Sequence, residues 1–283
     1  SIMCVIKTSV LELLFAIKFF YFYTNLLVFN FLLLNSVYNF NIIKLDAISS
    51  TSDLLKEKYH QGKVKNNDLI LAAYQNKGRG QHNNRWVAAS GENITFSIFS
   101  TFQDFSLPEK FLLNAAVCSA IVKALSGIGL FDTKIKWPND ILSENRKIGG
   151  ILIENIVRKN TIVASIIGVG INVNQIQFEN LPNASSLRQI LNKKLDLYHV
   201  LKVLLYHLRE MLDNLLQGNK KNYLDQYNTL LWKRDETRLF EVKQNQVKAV
   251  LREVDENGKA KLEFEKGKMI SFNTTELKIP YTI

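Results

Sequence analysis

Two cationic side chains stand in settings that could do chemistry. Arg79 lies between Gly78 and Gly80 within residues 74–100, YQNKGRGQHNNRWVAASGENITFSIFS. Glycines on either side of an arginine let the backbone close on a ligand while the guanidinium forks onto phosphate or carboxylate. On its own the stretch reads equally well as a solvated basic loop with turn glycines. Lys136 lies in Lys134-Ile135-Lys136-Trp137-Pro138-Asn139-Asp140. Its alternation reads as a short strand that Pro138 stops, which puts Lys136 near a strand end, where sites are commonly placed. Upstream, Ser50-Thr51-Ser52 precedes Asp53 and two leucines. A helix cap accounts for one of those hydroxyls and leaves two unexplained.

The elements that must hold these residues follow from periodicity. Ile42-Ile43-Lys44-Leu45 reads as a strand and Ser49 to Asp53 as a helix N-cap, with the helix reaching about His60. Leu69-Ile70-Leu71-Ala72-Ala73 and Ile94-Thr95-Phe96-Ser97-Ile98-Phe99 read as strands on either side of the arginine loop. That loop is too long for an ordinary hairpin, and long ordered loops are usually functional. Pro108 opens a core helix that Gly127 ends. Lys147-Ile148-Gly149-Gly150-Ile151-Leu152-Ile153-Glu154 reads as a tight turn into an apolar strand. Residues 162–174 read as another strand, ending in GVGINVN, where close backbone packing is the default meaning of Gly-x-Gly.

An amphipathic helix is expected over residues 197–217, with His199 and His207 structural, then a further helix reaching Trp232. Beyond it the pattern turns to short strands at residues 238–242, 246–252, 259–264 and 269–272, a small barrel of about fifty residues that needs a neighbour for stability. The expected organisation is an apolar segment over residues 1–41, a catalytic domain over 42–232 and a small domain over 233–283.

The chain has 283 residues, 47% apolar and 22% charged, with a net charge of +10. Its lysines are scattered rather than blocked, which suits an anionic ligand or acidic partner at least as well as nucleic acid. Cys4 and Cys118 are far apart without a CxxC or Cys/His cluster, so neither a disulfide framework nor a structural zinc site is indicated, and a cytoplasmic setting fits. Residues 19–43 carry no charge, and the run is long enough to suggest a membrane helix, weakened by Asn25, Asn30 and Asn35. Three readings stand: an anchor through residues 10–37, an apolar helix docked on the fold, or upstream sequence outside the working protein.

SSTSD, GRGQHNNRW, KWPND followed by KIGGIL, and GVGINVN occur in a fixed order. As an ordered set they resemble the biotin protein ligase family, also called biotin–[acetyl-CoA-carboxylase] ligase, from residue 42 onward. The resemblance implies an α+β fold, a mixed sheet flanked by helices plus a C-terminal SH3-like barrel. It implies ATP with magnesium, biotin as substrate and a biotinoyl-AMP intermediate, from which a lysine of a biotin carboxyl carrier domain takes the biotinoyl group. By that likeness Ser50, Thr51, Ser52 and Gln75 bind biotin, and Arg79, Gly80 and Gln81 wrap carboxylate and phosphate. Lys136 stabilises the reacting phosphate, with Arg79 its catalytic partner. Trp86 belongs to a lid over biotin, and Asn172 reaches toward adenine.

Two departures from the family pattern matter. Ser52 stands where asparagine is usual, and still donates and accepts. Gln81 replaces the second arginine of the GRGR run, with His82, Asn83 and Asn84 after it, which should loosen the lid's grip on the adenylate. Residues 1–41 are too few and too apolar for the DNA-binding domain of the family's repressor branch, so no DNA partner is expected. A lipoate–protein ligase is the nearest rival and a membrane-tethered biotin or nucleotide sensor another; basic nucleic-acid binding lacks aromatic–basic interleaving.

Overall fold

The computed structural model describes residues 39–281 apart from 104 and 221. The readings of the apolar segment up to residue 38 lie outside the described residues. Its last residues do not: Phe40 is buried in the main core, and the first strand starts at Asn41, one residue earlier than expected.

Strand β1 (Asn41–Ile48) pairs in parallel with β2 (Asp68–Gln75), and helix α1 (Thr51–His60) makes the crossover. Strands β3 (Ile94–Thr101), β4 (Thr133–Lys136), β5 (Asp140–Ser143), β6 (Arg146–Arg158) and β7 (Thr161–Ile171) complete a seven-stranded sheet in the order β1-β2-β3-β7-β6-β5-β4. Every pairing but the first is antiparallel, so the sheet is mixed. Burial along almost all of β3 follows from its place between β2 and β7 with helices on both faces.

Helix α2 (Lys110–Gly127) is apolar nearly all round because it lies in the main core against the long amphipathic helix described next. Together with the turn before it, α2 has the length and hydropathy to cross a membrane, but 72% of that window is buried within the fold. After a short helix α3 (Leu187–Leu191) comes α4 (Leu197–Leu216), which buries Leu201, Leu204, Leu205, Leu208, Leu212 and Leu215 as its spacing requires. On the other face of the sheet α1 closes a small core of Leu55, Ile70, Phe99, Ala164 and Ile166.

Helix α5 (Tyr223–Thr229) stops short of Trp232, contrary to the sequence pattern. The chain leaves the helix to bond the edge strand: Ile135 N donates to Leu230 O and Trp232 N to Ile135 O, each at 2.8 Å. Strands β8 (Thr237–Val242), β9 (Asn245–Val254), β10 (Ala260–Glu263), β11 (Met269–Phe272) and β12 (Leu277–Lys278) form a curled antiparallel sheet in the order β11-β10-β9-β8-β12, as a small barrel requires. This sheet shares the main core. Gly258 in the β9–β10 turn, at φ +80°, lies so close to Phe111 that a Cβ would sit 2.4 Å from the ring, and its carbonyl accepts from Trp137 Nε1 at 3.0 Å.

Candidate active site

The loop between β2 and β3 folds into a small irregular hairpin. Trp86 N donates to Gly78 O at 3.0 Å and Gly80 N to Asn84 O at 2.7 Å, with Arg79 opposite Arg85. Trp86 is thereby laid on the sheet, where Nε1 donates to Thr95 Oγ1 at 3.3 Å. Its indole rests on Gly170, whose position has no room for a side chain: a Cβ there would be 2.4 Å from Trp86 Cε2. The second glycine of GVG is therefore a seat for Trp86. The first makes room for Ser52, whose Oγ would lie 3.1 Å from a Cβ on Gly168.

The three hydroxyls divide the work at the N-terminus of α1. Ser50 caps the helix by accepting from Asp53 N at 3.3 Å. Thr51 Oγ1 and Ser52 Oγ both meet Ser97 Oγ, at 2.7 and 2.9 Å, and Thr51 N donates to Gln75 Oε1 at 2.7 Å. All four hydroxyl residues are buried, so they form a polar nest in a low-dielectric wall, with the helix N-terminus behind it.

Arg79 is held by carboxylates. Nη1 and Nη2 donate to the two oxygens of Glu154 at 3.0 and 2.5 Å, Nη2 also meets Asp53 at 2.8 Å, and Lys56 pairs with Glu154 at 2.6 Å. The hydrogen bonds that Arg79 donates to Glu154 keep its guanidinium more basic than usual. Arg79 Nε is buried without a partner.

Lys136 ends β4 at the Trp137-Pro138 turn, which the fold clasps: Asn114 Nδ2 and Tyr227 Oη both donate to Pro138 O, at 2.9 and 2.8 Å. Burial lowers the Lys136 pKa, and Lys147 and Arg238 add to the lowering while Asp140 opposes it. Asp140 pairs with Lys147 at 2.6 Å.

A single cavity of about 760 Å³ brings these groups together. Ser50, Thr51, Ser52, Gln75, Arg79, Gly80, Gln81, Trp86 and Lys136 all line it. Asn172 does not. It is buried beneath, its Nδ2 donating to Ser185 O at 2.9 Å and its Oδ1 without a partner. A second cavity of about 600 Å³ shares residues 79–82 with the first, together with Pro138, Leu152 and Thr274, so the 79–82 segment is part of the partition between them.

Several participants carried no signal in the sequence pattern. Ser97 sits on a core strand and Glu154 at the end of an apolar run. Thr274, Thr275 and residues 277–280 bring the C-terminal sheet to the cavity wall. The KIGGIL motif already marked Lys147, and its carboxylate partner lies in KWPND; the others depend on strand register and domain docking.

Residues 45–172 match the model of the biotin/lipoate A/B protein ligase family. Over 161 residues it is 33% identical to the bifunctional ligase/repressor BirA of Bacillus spizizenii, covering 55% of this chain and 49% of the relative. Over 122 residues it is 34% identical to the biotin–[acetyl-CoA-carboxylase] ligase of Mycobacterium tuberculosis, covering 42% and 44%. The chain thus spans about half the length of the curated relatives it matches. The structure of the Aquifex aeolicus biotin protein ligase in complex with biotin and ATP superposes with a TM-score of 0.69 at 25% identity, over 84% of this chain and 97% of that one. The α+β fold with a small C-terminal barrel is accordingly that of the biotin ligases.

Proposed function

We propose that this chain is an ATP-dependent biotin–protein ligase, acting on a biotin carboxyl carrier domain. The observation that carries the reading is the one cavity in which the polar nest, the arginine loop and Lys136 meet. In the first half-reaction a carboxylate oxygen of biotin bonds to the α-phosphorus of ATP, the bond from that phosphorus to the bridging oxygen breaks, and pyrophosphate leaves. In the second, a deprotonated lysine of the carrier attacks the acyl carbon and AMP leaves with the bonding electrons. Two anions must first be brought together, and fixed donors aimed at the developing charge do this without reorganising.

Each side chain then has a task. The buried hydroxyls and Gln75 offer hydrogen bonds to the polar ring of biotin, and Trp86 covers its apolar body. Arg79, fixed by Glu154, marks the carboxylate–phosphate junction, and Lys136 with Lys147 faces the phosphates. Among the described residues no group of three or more His, Cys, Asp or Glu could hold a metal. Magnesium would enter as a companion of the ATP phosphates, which it usually meets through few protein ligands.

The test is transfer of labelled biotin to a purified carrier domain with ATP, and with lipoate as competitor. ATP-dependent labelling of one carrier lysine is the expected result. Labelling only with lipoate, or pyrophosphate release independent of biotin, would overturn the proposal.

A further inference from the structure

The C-terminal sheet gives the cavity more than a wall. Residues 277–280 line it, and the next residue, Tyr281, lays its ring over Lys136, with Nζ 4.3 Å from the ring centroid. That ring packs on Trp232, centroids 5.9 Å apart, and the Arg238 guanidinium lies 4.4 Å from the Trp232 ring. Arg238 Nη2 also donates to Pro280 O at 2.9 Å, tying down the residue before Tyr281. The Tyr281 hydroxyl donates to Asp140 Oδ2 at 3.2 Å.

This last contact has a particular meaning in the hairpin. Lys136 and Asp140 are direct partners in the β4–β5 register, so by register alone the carboxylate should neutralise the lysine. Its two oxygens go instead to Lys147 and to Tyr281. We infer that Tyr281 is a positioning residue for Lys136: its ring fixes the ammonium by cation–π attraction, and its hydroxyl keeps Asp140 turned away from it. The small domain thereby supplies a side chain on which the chemistry of the large one depends. The groups around Lys136 are Asp140 from β5, Lys147 from β6, Arg238 from β8 and the Tyr281 ring, and burial by these elements is the largest influence on its basicity. The inference rests on the ligase reading for the role of Lys136.

Two variants of the full chain separate the ring from the hydroxyl. Tyr281→Phe keeps the π face and releases Asp140; Tyr281→Leu keeps apolar cover but loses both. Biotin-dependent adenylation should fall about threefold in the first, the size of one hydrogen bond, and about tenfold in the second, as for a partly desolvated cation–π contact. The KM for biotin should stay unchanged in both. A merely structural role would not move the titration of Lys136, followed by NMR of its Nζ. Releasing Asp140 should raise that pKa in Tyr281→Phe, and losing the ring should leave Tyr281→Leu below Tyr281→Phe.

A Leu variant with wild-type rate, or one titrating at or above the Phe variant, would overturn the inference. Should Tyr281→Leu fail to fold, Tyr281→Met replaces it in the same comparison. Absence of biotin-dependent pyrophosphate release in the wild type would sink the ligase reading alone, because the titrations do not depend on activity.

Discussion

Glu154, near the middle of β6, holds Arg79 of the β2–β3 loop with both carboxylate oxygens, at 3.0 and 2.5 Å. Burial alone would raise the Glu154 pKa, but hydrogen bonds from Arg79 and Lys56 outweigh it and hold it below the ordinary 4.5. The loop is thus anchored at Arg79, not only at its ends. A carboxylate with a lowered folded pKa adds stability that is present above its unfolded pKa and lost as pH falls through the folded one. Glu154→Gln should therefore have a lower urea midpoint than wild type at neutral pH, with the gap closing in acid below 4.5. A gap of equal size at pH 7 and in acid would count against the ion network as its source.

Lys136 and Arg79 are each expected to matter far more to rate than to folding. A fixed donor aimed at developing charge is worth about a hundred- to a thousandfold in rate, so Lys136→Ala and Arg79→Ala should lower pyrophosphate release on that scale. The pH dependence has a definite sign. Burial depresses the Lys136 pKa from 10.5, so activity that needs the ammonium should be lost on the alkaline side below that value as pH rises. Rates within fivefold of wild type for both variants, a margin below the roughly hundredfold expected, would remove these residues from the mechanism.

Much of the site was legible in the sequence because local rules determine it. A hydroxyl before an acidic first turn is a cap wherever it occurs, and Ser50 caps α1. Proline after Trp137 ends a strand, and Lys136 stands at that end. The rest depends on pairings between distant segments, which periodicity does not report. Ser97 reaches Thr51 and Ser52 only because β3 lies under α1, 45 residues on in the chain. The pattern of α5 ran on toward Trp232 because apolar spacing continues there, yet the Leu230 carbonyl and the Trp232 amide pair with Ile135 of β4. Asn172 likewise sits in the motif order but under the cavity wall, bonded to Ser185 O.

Gly170 gives a test of the seat beneath Trp86. A Cβ at that position would fall 2.4 to 2.9 Å from three atoms of the indole, too close to accept without moving it. Because the ring belongs to a loop, Gly170→Ala should displace it rather than unfold the sheet. Tryptophan fluorescence should report a more exposed indole, and biotin affinity should fall by about tenfold if the ring's cover is lost, on the order of 1.4 kcal/mol. Unchanged emission and affinity would mean that Trp86 finds another seat.

Phe40 ties the start of the described chain to the main core. Its side chain is only 4% exposed and belongs to the main core, with Arg209 over the ring. Removing a buried phenylalanine side chain typically costs about 3–5 kcal/mol. A chain starting at residue 39 should keep its denaturation midpoint and its activity, whereas one starting at residue 42 should lose much of its stability. Equal midpoints for the two truncations would show that Phe40 adds nothing.

If the chain is the ligase proposed above, Gln81 should bear on how tightly the activated acid is kept. It opens the short turn Gln81–Asn83 and lines both cavities, beside Arg79, whose charge is already shared with Glu154 and Asp53. Glutamine keeps hydrogen-bonding capacity but lacks the charge and planar fork that grip two phosphate oxygens at once. The partition between the cavities is therefore poor in uncommitted positive charge, and biotinoyl-AMP should escape faster than from an arginine-bearing loop. A released mixed anhydride acylates any nearby lysine, so self-labelling should accompany carrier labelling. Gln81→Arg restores a cation that no carboxylate yet holds, and should slow adenylate release about tenfold, the low end for a charged hydrogen bond. Arg85, exposed across the same hairpin, is the alternative source of charge. Dissociation of preformed adenylate, followed by rapid filtration in Gln81→Arg, Arg85→Ala and wild type, decides between them. Equal off-rates for wild type and Gln81→Arg, with a faster one for Arg85→Ala, would assign retention to Arg85 and make the glutamine silent.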